Sequence, residues 1–225
     1  MAPNPEPAQE PTPGREQAVP GPAGGASGAG TGPGAGGTAG GQPAPGGPGA
    51  PVEPAASTDP AQAAALLIPE LEAQERRLVL RSFTHDDAWH LGSLLVELAR
   101  LRHAPVAVDI RRGPQQLFHC ALPRSSADND AWIDRKRRVV ERYAESSYLV
   151  GTRFRAKGTA FEDSSRLDPD LFAAHGGSFP IAVEGAGVIG SVTVSGLPQA
   201  EDHALVVEAL ERFMATGRAV EGATH

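Results

Sequence analysis

The 225-residue chain has one cysteine, two tryptophans and two tyrosines, and it has no long apolar run. Because Cys120 stands alone, an intramolecular disulfide and a cysteine-based zinc finger are both excluded. No stretch of about 18 consecutive apolar residues occurs, so we expect no membrane-spanning helix. The first residues form neither a basic n-region nor an apolar h-region, so we expect no secretory signal and a cytoplasmic location.

An excess of basic residues is also missing. Lys and Arg number 20 against 27 Asp and Glu, which gives a net charge of −7 at pH 7. Nucleic acids and anionic membranes attract proteins with a cationic field, so we expect neither as a partner. The basic run over residues 135–138 is a local exception. Its positions spread around a predicted helix, which is typical of solvated faces with neighbouring Glu partners.

Large apolar side chains are absent from the first 60 residues, which contain no Leu, Ile, Phe, Trp or Tyr. The same stretch holds more than half of the 27 glycines and two thirds of the 21 prolines. Such a segment cannot bury enough apolar area to offset the entropy lost on ordering. We therefore predict a disordered Pro/Gly/Ala-rich arm over residues 1–58, one domain over 59–218 and a disordered C-terminal tail over 219–225.

Hydrophobic periodicity and turn residues predict the elements of this domain. Thr84 and Asp87 form a capping-box pattern, and Asp202 is expected to cap the last helix. Two hairpins flanked by helices indicate an α+β layer fold and not a βαβ succession. Helices are predicted over 61–77 with a break at Pro69, over 84–102, 128–147 and 167–175, and from 202 onward. Strands are predicted over 77–83, 106–110, 115–122, 179–184 and 188–195, with an irregular stretch before residue 165.

The carboxy-terminal motifs resemble those of a known family. They are Gly-Gly-Ser-Phe-Pro-Ile at 176–181, Gly-Val-Ile-Gly-Ser-Val-Thr-Val-Ser-Gly at 187–196, and Asp202-His203. This pattern is similar to the GlcG/HbpS/PduO-C group of domains. Trp-Ile-Asp-Arg-Lys at 132–136 and Ser146-Ser147 resemble its UPF0303 branch, whose members are often named haem-degrading. The resemblance covers about residues 68–215. It implies a profilin-like fold with an antiparallel sheet of about five strands, homo-oligomers and, in some relatives, haem as ligand.

Lys136 is the most informative single residue. Helical spacing from Trp132, Ile133, Val139 and Val140 places its ammonium within an apolar stripe. Three interpretations remain open: a snorkelling lysine, a buried ion pair, or a cation that lines a pocket for a carboxylate such as a haem propionate. We expect Lys136→Met to change ligand affinity more than the fold, with stability unchanged or raised if the ammonium is unpaired. Unfolding of this variant would indicate a structural ion pair.

Histidines and glycines supply the other candidate ligand-binding residues. No histidine pair has the i, i+4 spacing of a helical zinc site, so we predict no metal centre. A single histidine can still ligate haem, and the resemblance points to His85 or His90 near the first long helix. His203 and the glycine pair Gly176-Gly177 belong to the family motifs and complete the candidate set. For each histidine, a surface or satisfied core position is the alternative interpretation.

Neither Ser195 nor Cys120 is predicted to be a catalytic nucleophile. Ser195, Asp202 and His203 mimic a hydrolase triad in sequence, but no Gly-x-Ser-x-Gly elbow surrounds Ser195. Cys120 lies in a predicted strand away from a helix start, which favours a buried structural thiol.

A second apolar strip on the helix over 84–102 predicts an interface. Trp89, Gly92 and Val96 lie at i, i+3 and i+7, away from the stripe that faces the sheet. Gly92 would admit a second backbone and Trp89 would anchor it, so we predict a homo-oligomer built partly on this helix. The alternative is that residues 61–76 of the same chain cover the strip.

These observations support one leading function and two alternatives. The leading hypothesis is a small-ligand-binding domain for haem or a related tetrapyrrole, with a link to haem degradation as a secondary part of it. The first alternative is an oligomeric scaffold or protein-interaction module without catalysis. The second is an enzyme that acts on a small carboxylate metabolite, and the sequence does not assign its catalytic residues.

Overall fold

A computed structural model describes residues 59–216 of the chain. The predicted arm and the predicted C-terminal tail lie outside the described residues. Within the described range, helices and strands alternate as an α+β arrangement, which confirms the predicted fold class. The helices are α1 (Pro60–Arg77), α2 (His85–Leu101), α3 (Ala127–Tyr143), α4 (Ser147–Ala156), α5 (Phe161–Ser164) and α6 (Gln199–Ala215). The strands are β1 (Val79–Leu80), β2 (Ala107–Arg112), β3 (Gln115–Ala121), β4 (Ser178–Val183) and β5 (Gly187–Ser195).

Several of the predicted helices need correction. Helix α1 continues through Pro69 without a break. Proline has no backbone N–H to donate to the carbonyl four residues earlier, but Pro69 lies on an exposed side of the helix, where water can donate to that carbonyl instead. Helix α3 ends at Tyr143, where Ala144 adopts a left-handed φ of 55°. Ser146 then caps α4 by accepting the N–H of Leu149, so a helix replaces much of the predicted irregular stretch. The helix predicted over 167–175 is instead an irregular loop.

The five strands form one sheet in the order β1-β4-β5-β2-β3. The two predicted hairpins are present, and β2 and β5 pair antiparallel at the centre of the sheet. The pairing of β1 with β4 is parallel, so the sheet is mixed and not wholly antiparallel. None of the described helices is long and apolar enough to cross a membrane.

The two faces of the sheet have different chemistry. One face is apolar: Val108, Ile110, Val192 and Val194 pack against buried side chains of α2 and α6. On the other face, which α3 covers, the alternate residues are small or polar. These buried residues include Ser178, Thr193, Ser195 and Asp109. The main hydrophobic core therefore lies on one side of the sheet only.

The apolar strip of α2 meets its own chain and not residues 61–76. The aromatic ring of Phe118 in β3 packs so closely on Gly92 that an added Cβ would overlap it. Trp89 contacts the same ring edge to face, at 5.9 Å between centroids. Helix α1 packs mainly against α4, so the alternative that residues 61–76 cover the strip is wrong. Gly92 admits an aromatic side chain, and Trp89 nevertheless remains 63% exposed.

Candidate ligand-binding site

A buried ion pair joins α3 to α6 at one end of the sheet. The Nζ atom of Lys136 lies 2.8 Å from Oδ2 of Asp202, and it also donates to the carbonyl oxygen of Val194 at 3.1 Å. Lys136 is 4% exposed and Asp202 is 1% exposed. The sequence left three interpretations open for this lysine. The structure excludes the snorkelling one and shows a paired ammonium.

Asp202 does not cap α6, contrary to the sequence prediction. The helix begins at Gln199 after Pro198, which places Asp202 at the end of its first turn with its carboxylate directed back toward β5. There Oδ1 accepts the N–H of Leu197 at 3.0 Å, and Oδ2 accepts the N–H of Gly196 at 3.4 Å. The carboxylate therefore holds the turn after β5 and the lysine of α3 together.

Burial changes the pKa of both partners in the direction of the neutral forms. Desolvation raises the pKa of Asp202, and the charge of Lys136 and the two backbone N–H groups oppose that change. Desolvation likewise lowers the pKa of Lys136, with the negative charge of Asp202 in opposition. The pair is retained because each charge compensates the other in a site that excludes most water.

Gly177 makes room for this pair. Its φ of 122° is a backbone conformation that side chains rarely tolerate. A Cβ at this position would lie 2.8 Å from Nζ of Lys136 and 3.0 Å from Cβ of Asp202, and it would overlap the carbonyl oxygen of Val194. The neighbouring Gly176 is equally constrained, since a Cβ there would overlap the carbonyl oxygen of Gln199. The glycine motif is therefore required by close packing at the site.

The ion pair forms part of the wall of a cavity of about 220 Å³. An ammonium has three N–H donors, and the described residues occupy two of those on Lys136. The third donor has no partner among the described residues. The lining residues are Asp128, Asn129, Trp132, Lys136, His175, Ser195, Gly196, Leu197, Gln199 and Asp202.

Two aromatic side chains form one side of the cavity. The rings of Trp132 and His175 contact edge to face, with centroids 5.2 Å apart. The guanidinium of Arg135 covers the Trp132 ring at 4.0 Å from its centroid. His175 lies 3.5 Å from Glu162 through its Nε2 atom. The site thus combines a buried cation, an aromatic surface and a half-exposed imidazole.

The predicted site residues do not all converge. Lys136, Gly176 and Gly177 lie together around the ion pair. His203 follows Asp202, but its ring packs against Tyr148 and Phe179 and its Nε2 lies 2.7 Å from the side-chain oxygen of Gln74. It is therefore held within the α1–α4–α6 junction and not among the cavity-lining residues.

His85 and His90 lie on α2, in the layer on the opposite face of the sheet from α3. His85 is the first residue of the helix and is exposed, whereas His90 is half-buried. Neither lines the cavity at Lys136. Any ligand that these histidines bind would occupy a separate surface. Within residues 59–216, no group of three or more His, Cys, Asp and Glu side chains could hold a metal ion.

Trp132, His175 and Ser195 were not selected from the sequence as ligand-binding residues. Trp132 could have been selected because it lies one helical turn before Lys136. His175 directly precedes the glycine pair, which would have been a usable signal. The hydrolase triad stays excluded, because the carboxylate of Asp202 is paired with Lys136 and the ring of His203 with Gln74.

The fold and the site define an α+β domain with a polar cavity at the ends of β5 and α3. Residues 83–211 match the family model described as "Haem degrading protein HbpS-like". The chain belongs to this family, as its motifs predicted.

Curated relatives place the chain in the UPF0303 branch. A UPF0303 protein of Streptomyces avermitilis is 81% identical over 147 residues, which cover 65% of this chain and 90% of the relative. A UPF0303 protein of Zymomonas mobilis is 46% identical over 143 residues, covering 64% of this chain and 77% of the relative.

Solved structures share the fold. The crystal structure of the Ybr137w protein has a TM-score of 0.62 and 33% identity, covering 67% of this chain and 88% of its own. A structure of a PduOC–haem complex has a TM-score of 0.50 and 18% identity, covering 64% of this chain and 99% of its own. At that identity, the second likeness shows the common fold alone.

Proposed function

We propose that this chain is a small-ligand-binding domain whose cavity holds a carboxylate group against Lys136. The observation that carries the proposal is the third N–H of a buried ammonium at a cavity of about 220 Å³. A carboxylate oxygen at this position would receive a charge-assisted hydrogen bond from a buried side chain. The carboxylate could belong to a haem propionate or to a small free acid.

Haem is a candidate source of the carboxylate because of the family to which the chain belongs and the haem complex of a protein with this fold. The cavity is smaller than the roughly 300–1,000 Å³ of pockets that enclose drug-sized ligands, so the macrocycle does not fit inside it. A propionate fits. Lys136 would then hold the propionate, and the macrocycle would lie at the mouth against Trp132. When bound, haem would supply the redox chemistry of its iron.

Hemin titration, followed by the shift of the Soret band, tests this proposal. We expect saturable binding by the full chain and at least tenfold weaker binding of hemin dimethyl ester, because the ester lacks the carboxylates. The variant Lys136→Met/Asp202→Asn removes both buried charges together and is expected to lose the preference for the free acid. Lys157→Met makes the same lysine substitution at an exposed position and should bind like the unmodified chain.

The results separate the possible sources of the carboxylate. Hemin binding with the acid-over-ester preference supports a propionate. Absence of hemin binding, with pyruvate detected by saturation-transfer NMR and lost in the double variant, supports a small acid. If neither ligand binds, or if both bind equally well to the double variant, the proposed site is wrong.

A second candidate function, an oligomeric interaction module, has support from a different surface. Trp89 lies on an outer face of α2 and is 63% exposed, and tryptophan is the kind of large side chain that anchors interfaces. We propose that a second copy of this chain covers this face.

Trp89→Glu is expected to yield a smaller, folded particle in sedimentation velocity, because a charge cannot be buried there without a partner. Leu66→Glu on α1 changes an equally exposed apolar residue elsewhere and serves as the control. An unchanged particle size for Trp89→Glu would reject an interface at this face.

A further inference from the structure

His175 is the one histidine among the described residues that line the cavity at Lys136. It lines the cavity together with Lys136, and its ring rests edge to face on Trp132. Its Nε2 atom lies 3.5 Å from a carboxylate oxygen of Glu162. Among residues 59–216, no hydrogen bond occupies the other nitrogen, Nδ1. A carboxylate on one side of an imidazole favours the tautomer whose opposite nitrogen is an acceptor.

Burial favours the neutral form of the His175 imidazole near pH 7. Burial makes the largest contribution and lowers the pKa of His175, and the positive charges of Lys136 and Arg155 lower it further. The negative charge of Glu162 opposes this change. A neutral imidazole is the form that can accept a proton, so His175 is available as a base.

The cavity restricts which molecules could present a proton to that base. Its volume is only about 220 Å³. A molecule of a few non-hydrogen atoms fits, with an anionic oxygen at Lys136. A cation beside a neutral base is the pair of groups that proton removal next to a carbonyl requires, because the charge that develops on oxygen must be stabilised.

We propose that His175 is a catalytic base that removes a proton from the carbon next to the keto group of a small 2-oxo carboxylate held by Lys136. This inference rests on the proposed function, since it uses the same carboxylate site.

The step balances without another reactant. The C–H bond breaks, its proton passes to Nδ1 of His175, and its electron pair forms the carbon–carbon double bond of an enolate. The negative charge then lies on the former keto oxygen. Because the last N–H of Lys136 holds the carboxylate, the donors available to this oxygen are the side chains of Asn129, Ser195 and Gln199, which also line the cavity. Return of the proton to carbon regenerates the keto acid. In heavy water, the visible result is exchange of hydrogen for deuterium.

Proton NMR of pyruvate and 2-oxobutyrate in heavy water, with the full chain at neutral pH, tests the proposal. We expect the signal of the hydrogens next to the keto group to decay faster than in buffer alone. His175→Gln should slow the catalysed exchange by about 10²–10⁴-fold, the usual contribution of a general base. His119→Gln is the matched control, because His119 also pairs with a carboxylate, Asp130 at 2.8 Å, but does not line the cavity.

Binding of the same acids, measured in parallel by saturation-transfer NMR, separates the two proposals. Binding without exchange, or exchange that survives in His175→Gln, overturns the catalytic role and leaves the ligand site standing. If hemin binds and the 2-oxo acids do not, the inference fails while the proposed function holds. If neither class binds, both fail. Thermal unfolding of His175→Gln, expected to be close to that of the unmodified chain, excludes loss of the fold as the cause.

Discussion

Replacing Lys136 with methionine is expected to lower the free energy of unfolding by about 3–5 kcal/mol, the usual cost of removing one partner from a buried ion pair. The methionine keeps the length of the side chain, so most of the packing survives. What changes is Asp202, whose carboxylate stays 1% exposed and loses the cation 2.8 Å away. Two backbone N–H groups remain as its partners, and they do not neutralise its charge.

Urea unfolding of three variants distinguishes the charge from the packing. Lys136→Met/Asp202→Asn should recover most of the loss, because no isolated charge remains and the amide oxygen can take the position of Oδ1, which accepts the N–H of Leu197 at 3.0 Å. Lys157→Met should stay within about 0.5 kcal/mol of the unmodified chain, as exposed substitutions usually do. If Lys136→Met lowers the free energy of unfolding by less than about 1 kcal/mol, a buried ion pair between Lys136 and Asp202 is contradicted.

Acid is expected to destabilise the domain through His203. Burial lowers the pKa of His203 from 6.5 to about 4. Between these values the unfolded chain binds the proton and the folded chain does not, so stability falls as the pH falls from 6.5 to 4. A difference of about 2.5 pKa units corresponds to about 3 kcal/mol at pH 4.

The surroundings of His203 explain this cost. Nε2 has the side-chain oxygen of Gln74 as its partner, but Nδ1 is buried and has no partner among the described residues. Protonation would therefore create a second N–H donor that nothing accepts, between the rings of Tyr148 and Phe179.

His203→Phe provides the measurement. The aromatic replacement fits between the same rings and cannot take up a proton. On going from pH 7 to pH 4, we expect the unmodified chain to lose about 3 kcal/mol more of its unfolding free energy than the variant loses. Taking the difference cancels groups common to both proteins, such as Glu75 and Asp202. Two parallel stability curves would show that His203 does not titrate differently on folding.

Local sequence signals predicted much of the fold. The capping box of Thr84 and Asp87 is present, with the backbone N–H of Thr84 donating to Asp87 at 2.7 Å. Both hairpins follow their turn residues, and the family motifs led to the correct family. The errors occurred at single residues whose usual preference the structure does not follow: α1 passes through Pro69, which lies on an exposed side, and Ala144 ends α3 four residues early with a left-handed φ.

The candidate site was only partly predictable, because its residues come from distant parts of the chain. Periodicity placed Lys136 on the inner face of its helix, but it could not identify Asp202, 66 residues later, as the partner. At the start of a helix, aspartate is usually a cap, and that preference suggested the wrong role. The pairing of His175 with Glu162 likewise depends on how the loop before β4 folds.

The unequal faces of the sheet allow stability and recognition to evolve separately. Most buried apolar side chains lie between the sheet and the α2–α6 layer, whereas the cavity lies at the edge of the small, polar face beneath α3. Substitutions at Trp132, His175 or Gln199 can reshape the cavity without creating a void in the main core. Relatives that retain the core can therefore acquire different ligands through a few changes around the lysine.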